Sequence, residues 1–268
     1  MKKYLKKIIG AFYPALLVAL VALSSCSRSS KTQLEVAATS VPHAEILEFI
    51  KPELKEQGIN LSIITVDDYH TPNRALQDKE VDANFFQHLP FLEAQIADFG
   101  YQLEPLVAVH LEPMGLYSQK LKSLKKMKNG LTLAIPSDPS NQARALAMLQ
   151  QLGFIRLKKT DALSSVFDII YNTYHLKFIE IDSPLLARSL NDVDLAAITT
   201  NFALQAGLSP QKDALALEDK NSQFVNVVAV RAGEINRKDL QILKQVLTSE
   251  KVKDFIESHY RGAVIPAF

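Results

Sequence analysis

Two short segments carry the side chains most able to do chemistry. The first runs Ile135-Pro136-Ser137-Asp138-Pro139-Ser140-Asn141-Gln142-Ala143-Arg144. A strand-like stretch ends in prolines and cap-forming residues, and a helix begins. Exposed backbone N–H groups at such a start can receive an anion. Asn141 and Arg144 are three apart and share a helical face. A guanidinium there can clamp a carboxylate through two parallel hydrogen bonds, with Asn141 adding a further contact. The same residues also read simply as a capped helix with one surface arginine.

The second segment is Asp82-Ala83-Asn84-Phe85-Phe86-Gln87-His88-Leu89-Pro90-Phe91. Aromatic rings, amides and an imidazole meet at a strand-to-helix turn, a mixture that suits an organic ligand with apolar and polar ends. Neighbouring strand residues point to opposite faces, so at most one of Phe85 and Phe86 faces a cleft. Core packing is the plain alternative for the pair, and turn capping for His88. Three single residues join them. Tyr69 lies just past a strand, Asn201 follows another, and Asn226 interrupts the apolar run Phe224–Val230. A strand amide is costly unless hydrogen-bonded, to backbone or to ligand.

Other chemistries find little support. The chain has no Gly-x-Ser-x-Gly elbow, no His-Glu-x-x-His helix and no glycine-rich phosphate loop. Asp67-Asp68 reads as a strand-end turn. No His/Asp/Glu set shows metal-ligand spacing, and no cofactor is implied. The run Lys120, Lys122, Lys125, Lys126, Lys128 ahead of Asn129-Gly130 reads as a solvated helix face.

Alternating short apolar and amphipathic stretches position these groups. Strands are expected at Leu34–Ala38, Leu61–Val66, Ala83–Phe86 and Leu103–Val109. Helices are expected at Pro42–Gln57, Pro72–Lys79 and Leu89–Phe99, the first and last stopped by Gly58 and Gly100. The order predicts a mostly parallel sheet covered on both faces. The pattern then restarts: strand Thr132–Ile135, helix Pro139–Leu152, helix Ala162–Ile170, strand Lys177–Ile181, helix Pro184–Leu190 and strand Leu195–Thr200. Strand Phe224–Arg231 and helices Arg237–Leu247 and Lys251–His259 close the chain. Two α/β units imply two lobes, with a ligand crevice at strand C-terminal ends.

The N-terminus sets the compartment. Lysines 2, 3, 6 and 7 precede the apolar run Ile8–Leu23, and Leu23-Ser24-Ser25-Cys26 follows, a secretory signal pattern. The run is 16 residues long and contains Pro14, too short to span roughly 30 Å of hydrocarbon. Cys26, the single cysteine of the 268 residues, resembles the lipidated residue of a bacterial lipobox. An incidental thiol behind an ordinary cleavage site is the alternative. No other cysteine exists to form a disulfide, thiolate site or cysteine nucleophile. Beyond residue 25, Lys+Arg falls from 30 to 26 against 29 Asp+Glu. That acidic balance argues against nucleic acid or an anionic surface as partner.

Five motifs, in order and spacing, are similar to those of the methionine-binding lipoprotein family, the extracytoplasmic solute receptors of methionine importers of the ABC type. They are Asp67-Asp68-Tyr69 leading to Pro72-Asn73 and Ala75-Leu76; Asp82 to His88; Pro136 to Asn141 with Arg144; Leu190-Asn191-Asp192 before Asn201; and Glu218-Asp219-Lys220 leading to Val225-Asn226. The resemblance implies an α/β, two-lobe type II periplasmic-binding-protein fold closing around a free amino acid in a cleft between lobes. It implies that Arg144 holds the ligand carboxylate with Asn141 beside it. Asn201 and Asn226 then supply further polar contacts, while Tyr69, Phe86 and His88 help form the apolar pocket.

The implied ligand is free methionine, the implied partners an ABC permease and its ATPase. The protein is then a monomeric, non-enzymatic receptor anchored to a bacterial membrane through palmitate-type lipid on Cys26. Alternatives are a receptor for another small amino acid or a methionine-containing dipeptide, or an envelope or adhesion lipoprotein. The expected organisation is a signal peptide over 1–25, a lipidated tether over 26–33, lobe I over 34–112 and 228–268, and lobe II over 113–227. Two departures stand out. Glu112 occupies a position where many relatives carry an aromatic residue, and Phe202-Ala203 follow Asn201 where threonine or tyrosine is frequent.

Overall fold

Short apolar runs alternate with capped amphipathic segments, and the computed structural model folds the described residues into two mixed sheets and a two-stranded antiparallel ribbon, with helices packed against them. It describes residues 32–219 and 222–268, so the expected signal segment and Cys26 lie outside the described residues. The first part comprises β1 (Thr32–Thr39), α1 (Glu45–Glu56), β2 (Ile59–Val66), α2 (Thr71–Gln77), β3 (Ala83–His88), α3 (Leu89–Phe99) and β4 (Leu103–Leu111). The second comprises β5 (Gly115–Tyr117), β6 (Thr132–Pro136), α4 (Pro139–Gln151), β7 (Ile155–Leu157), β8 (Ile169–Asn172) and β9 (Lys177–Ile181). It continues through α5 (Leu186–Ser189), β10 (Leu195–Ile198), α6 (Thr200–Gln205), α7 (Pro210–Asp213) and β11 (Ala216–Leu217). The chain ends with β12 (Val225–Arg231), α8 (Lys238–Leu247), α9 (Glu250–Tyr260) and β13 (Ile265–Pro266).

The six-stranded sheet runs β13-β4-β12-β3-β1-β2 and the five-stranded sheet β11-β5-β10-β6-β9. The chain therefore passes between sheets at residues 112–114, and again over 218–224 to enter β12. The expectation of mostly parallel sheets is corrected. β1 and β3 are parallel, but β12 pairs antiparallel with both β3 and β4. β6 lies parallel to β9 and β10, whereas β5 opposes β10. The physical reason is the double crossing, which inserts a returning strand into a sheet already begun. Among the described residues no helix is long and apolar enough to cross a membrane.

Local signals explain the helices that aim the site. α3 opens on His88, whose Nδ1 accepts the Phe91 N–H at 3.0 Å; Pro90 follows, and Gly100 closes the helix at φ 70°. Proline in the first turn and a left-handed glycine at the end are complementary terminators. α4 opens on Asp138, which accepts the Asn141 N–H at 2.9 Å, with Pro139 directly after it.

One expected helix is absent. Ala162–Ile170 forms a single tight turn at Val166–Asp168 and then β8, which pairs antiparallel with β7. An amphipathic helix needs an apolar stripe to bury. Here Leu163 and Phe167 are 67% and 93% exposed, while Ser165 and Asp168 cap the short turn.

Four apolar clusters of described residues hold the fold, the fourth gathering Ala37, Leu76, Leu92, Leu103 and Val227, and each large buried side chain contributes about 1.5–3 kcal/mol. Leu34, Ile46, Leu47, Phe85, Val228 and Ile256 belong to the first, around the six-stranded sheet. Leu133, Ile135, Leu146 and Leu195 belong to the second, around the five-stranded sheet. The third joins Tyr69, Phe86 and Phe91 to Ala134, Ile198 and Phe202, and so spans both sheets.

Candidate functional site

A small cavity of about 20 Å³ lies where the sheets meet. All seven expected ligand residues, Tyr69, Phe86, His88, Asn141, Arg144, Asn201 and Asn226, line it. Gln87, Phe91, Glu112 and Thr199 complete the wall.

The aromatic side comes from the six-stranded sheet and its connections. Tyr69 packs 5.9 Å from Phe86 and 5.7 Å from Phe91, ring centre to ring centre, with Phe202 behind it at 4.9 Å. Strand alternation separates the phenylalanine pair as expected. Phe86 faces the cavity, while Phe85 turns into the first core cluster and meets the His43 ring edge-on at 4.6 Å.

The polar side is a set of bonds between the sheets. His88 accepts the Phe91 N–H at Nδ1, so its Nε2 carries the proton and donates to Asn141 Oδ1 at 3.1 Å. Asn141 Nδ2 donates to Asp138. The Tyr69 hydroxyl donates to Asn201 Oδ1 at 2.7 Å and lies 3.1 Å from Thr199 Oγ1. That orients the Asn201 amide and leaves its buried Nδ2 without a partner among the described residues. Asn226, at a bulge in β12, sits 3.2 Å from His43 Nε2 through Oδ1.

Arg144 does clamp a carboxylate, but that of the protein itself. Nε donates to the two Glu218 oxygens at 3.1 and 3.0 Å, and Nη2 donates to Glu218 and, at 2.6 Å, to the Glu112 carbonyl. Its guanidinium carbon stands 4.5 Å over the Phe224 ring. Among the described residues no protein acceptor takes Nη1, so this is the nitrogen left for the cavity.

Burial sets the protonation. It pushes the pKa of His88 down to about 3, that of His110 to about 3 and that of His43 to about 4, so all three imidazoles are neutral near pH 7. Burial also pushes the Glu112 and Asp138 carboxyls up. His110 Nε2 lies 2.7 Å and His43 Nε2 3.3 Å from Glu112 Oε1.

The ligating atoms of these three side chains fall within 4.8 Å of one another, a cluster that could hold a metal ion and that the sequence offered no spacing to reveal. The 2.7 Å contact is a hydrogen-bond distance. His43, His110, Phe91, Thr199 and the partner role of Glu218 all escaped sequence reasoning. Phe91 and Glu218 lay inside singled-out segments, whereas His43 and His110 sit in ordinary strand and helix flanks.

Two α/β sheets joined by a double crossing, with an enclosed polar and aromatic cavity between them, are the architecture of the two-lobe substrate-binding proteins. The chain belongs to the NlpA lipoprotein family, whose model matches residues 34–268. It is 41% identical to the methionine-binding lipoprotein MetQ of Bacillus subtilis over 97% of this chain and 98% of that protein. It is 34% identical to the D-methionine-binding lipoprotein MetQ of Escherichia coli K12, covering 93% and 94% of the two chains. A nutrient binding protein from Burkholderia cenocepacia, solved bound to methionine, superposes with a TM-score of 0.85 at 39% identity, over 88% of this chain and all of the other.

Proposed function

We propose that this protein is an extracytoplasmic receptor that captures free methionine and delivers it to an ABC importer, a permease driven by cytoplasmic ATPase subunits. The observation that carries the reading is the pairing of unfilled donors with an aromatic wall in one small cavity. Arg144 Nη1 and the unpartnered Asn201 Nδ2 suit an α-carboxylate, and Tyr69, Phe86, Phe91 and the His88 ring suit a thioether chain. Asn141 stands beside Arg144, its own amide held by Asp138 and His88. Asn226 supplies a further polar contact. A relative named for methionine binding, and a nutrient binding protein solved bound to methionine, support the same ligand.

Capture needs no covalent step. Closure of two lobes populates a form that the permease recognises. The proposed lobes are 34–112 with 228–268, and 113–227; β12 itself begins at Val225, three residues ahead of that second boundary. The body works as a monomer tethered outside a bacterial membrane by lipid on Cys26, in keeping with its lipoprotein relatives.

The test is to denature the purified body and identify any released small molecule by mass spectrometry. Calorimetry on stripped protein then measures L- and D-methionine. No released methionine and no binding heat with either enantiomer would overturn the reading.

A further inference from the structure

The turn over residues 67–70 joins β2 to α2, and three of its four side chains reach elements of the five-stranded sheet. Asp67 Oδ1 accepts Gln205 Nε2 at 3.1 Å, at the end of α6. The Tyr69 ring packs 4.9 Å from Phe202, and its hydroxyl meets Thr199 and Asn201. His70 Nε2 stands 3.5 Å from Asp182 Oδ1, just past β9. The fourth residue, Asp68, turns back on its own segment. It accepts the His70 N–H at 2.7 Å, the Thr71 N–H at 2.6 Å and the Thr71 hydroxyl at 2.9 Å. Those bonds hold the turn in the shape that offers its other side chains across the seam.

Tyr69, Thr199 and Asn201 line the cavity, whereas Asp67, His70, Asp182 and Gln205 do not. Outside, an open groove of about 390 Å³ runs along the same seam, with Asp67 on one side and Leu185, Arg188 and Gln205 on the other. Phe202, 4% exposed, packs on Tyr69 and also lines this groove. The order from inside to outside is therefore cavity, Tyr69, Phe202, groove. A ligand leaving on this side must first displace Tyr69. That residue is carried by a turn whose flanking side chains grip the opposite sheet. Asp67–Gln205 and His70–Asp182 are exposed pairs, each worth a factor of roughly 1.5 to 5. They add to the buried Tyr69 contacts because all of them open when the one turn lifts.

We propose that residues 67–70 form a latch over the cavity, in which Gln205 and Asp182 are positioning residues. They hold Tyr69 down through Asp67 and His70, and so set how long a bound ligand stays without touching it. This assignment rests on the methionine reading above. The latch acts on release and leaves capture nearly unchanged, because its contacts form only once the two sides of the seam have met. It also acts alike on every ligand enclosed, whereas a residue that touches ligand changes selectivity.

Release of radiolabelled methionine into excess unlabelled methionine tests this on the full chain. Gln205→Glu sets a second carboxylate against Asp67 and should speed release about 2- to 10-fold, with association within about twofold of wild type. Adding Asp67→Asn exchanges donor and acceptor at unchanged side-chain lengths, so Q205E/D67N should return release to within about twofold of wild type. Thermal melting without ligand should match across the three proteins, which separates a latch from a role in the fold. A second experiment uses the absence of any cysteine beyond Cys26. In a Cys26→Ser chain carrying Asp67→Cys and Gln205→Cys, a short reducible thiol cross-linker should trap methionine already bound and free it on reduction. Release at the wild-type rate from Q205E, or from the cross-linked chain, overturns the latch and leaves methionine capture intact. Faster release that D67N leaves uncorrected overturns the Asp67–Gln205 pairing. A wild type that binds no methionine overturns the methionine reading, and this assignment with it.

Discussion

Arg144 and Glu218, 74 residues apart in sequence, form a two-pronged ion pair that binds α4 to the segment leading into the second crossing. The same Glu218 accepts the Met114 N–H at 3.1 Å, just past the first crossing. One carboxylate thus ties both connections between the sheets to the arginine at the cavity. The pair fixes the guanidinium in plane, with Nη1 the nitrogen that no described protein acceptor takes.

Removing the guanidinium should therefore damage stability as well as binding. Arg144 is 2% and Glu218 10% exposed, and breaking a buried pair on one side costs about 3–5 kcal/mol. Arg144→Ala should lower the denaturation midpoint in urea, and combining it with Glu218→Gln should recover part of the loss. Methionine affinity should fall about 30-fold to several thousandfold, with Arg144→Lys restoring only a fraction, because an ammonium cannot fill the planar two-pronged contact. Full affinity in a folded R144A protein would remove Arg144 from the ligand site.

Asn226 gives a milder effect. Loss of a buried uncharged hydrogen-bond partner costs about 1–3 kcal/mol, so Asn226→Ala should weaken methionine roughly 5- to 150-fold. Part of this passes through His43, whose Nε2 loses an acceptor. Thermal melting without ligand separates the two contributions. Retained affinity in a well-folded variant would make Asn226 purely structural.

Acidification should destabilise the ligand-free protein from about pH 6.5 downwards. His43, His88 and His110 titrate near 6.5 when unfolded and at about 4, 3 and 3 when folded. A depressed folded pKa means that the unfolded state binds more protons below 6.5, so their stabilisation is complete above that pH and is lost as pH falls towards the folded values. Each histidine contributes at most about 1.4 kcal/mol per pH unit. Glu112 and Asp138, pushed up by burial, act in the opposite sense and reduce the net slope. Urea unfolding at pH 7.5, 6.5 and 5.5 checks this. Stability that rose steadily as the pH fell from 7.5 to 5.5 would contradict the neutral buried imidazoles.

The tether gives a prediction of a different kind. If Cys26 carries lipid, Cys26→Ser should accumulate as an unlipidated precursor and lose normal processing. Mass spectrometry of the N-terminus with membrane fractionation reads both. Normal maturation and membrane retention of C26S would discard the lipid anchor.

Much of the local architecture was legible from residues a few positions apart. Leu89–Phe99 could be bounded to the residue because its proline, its cap and Gly100 all act within one turn. The same holds for α4, where Asp138 and Pro139 mark the start. Strand alternation alone separated Phe86 from Phe85. Nothing in Ala162–Ile170 itself opposed a helix strongly. Only the absence of a surface to bury Leu163 and Phe167, and the presence of β7 as a partner, made it a turn and a strand.

What the sequence determined by itself is the set of short-range terminators and the residue types brought to the cleft, since caps, turns and periodicity are interactions within a few residues. Which groups face one another was decided only by the tertiary structure. Arg144 meets Glu218 and not open space, and Glu112 meets His43 and His110, because two crossings bring distant strand ends together. Sheet direction was decided in the same way, as β12 returned to pair antiparallel with β3 and β4. Contacts of that range depend on chain topology and mutual burial, and residue spacing carries no record of them.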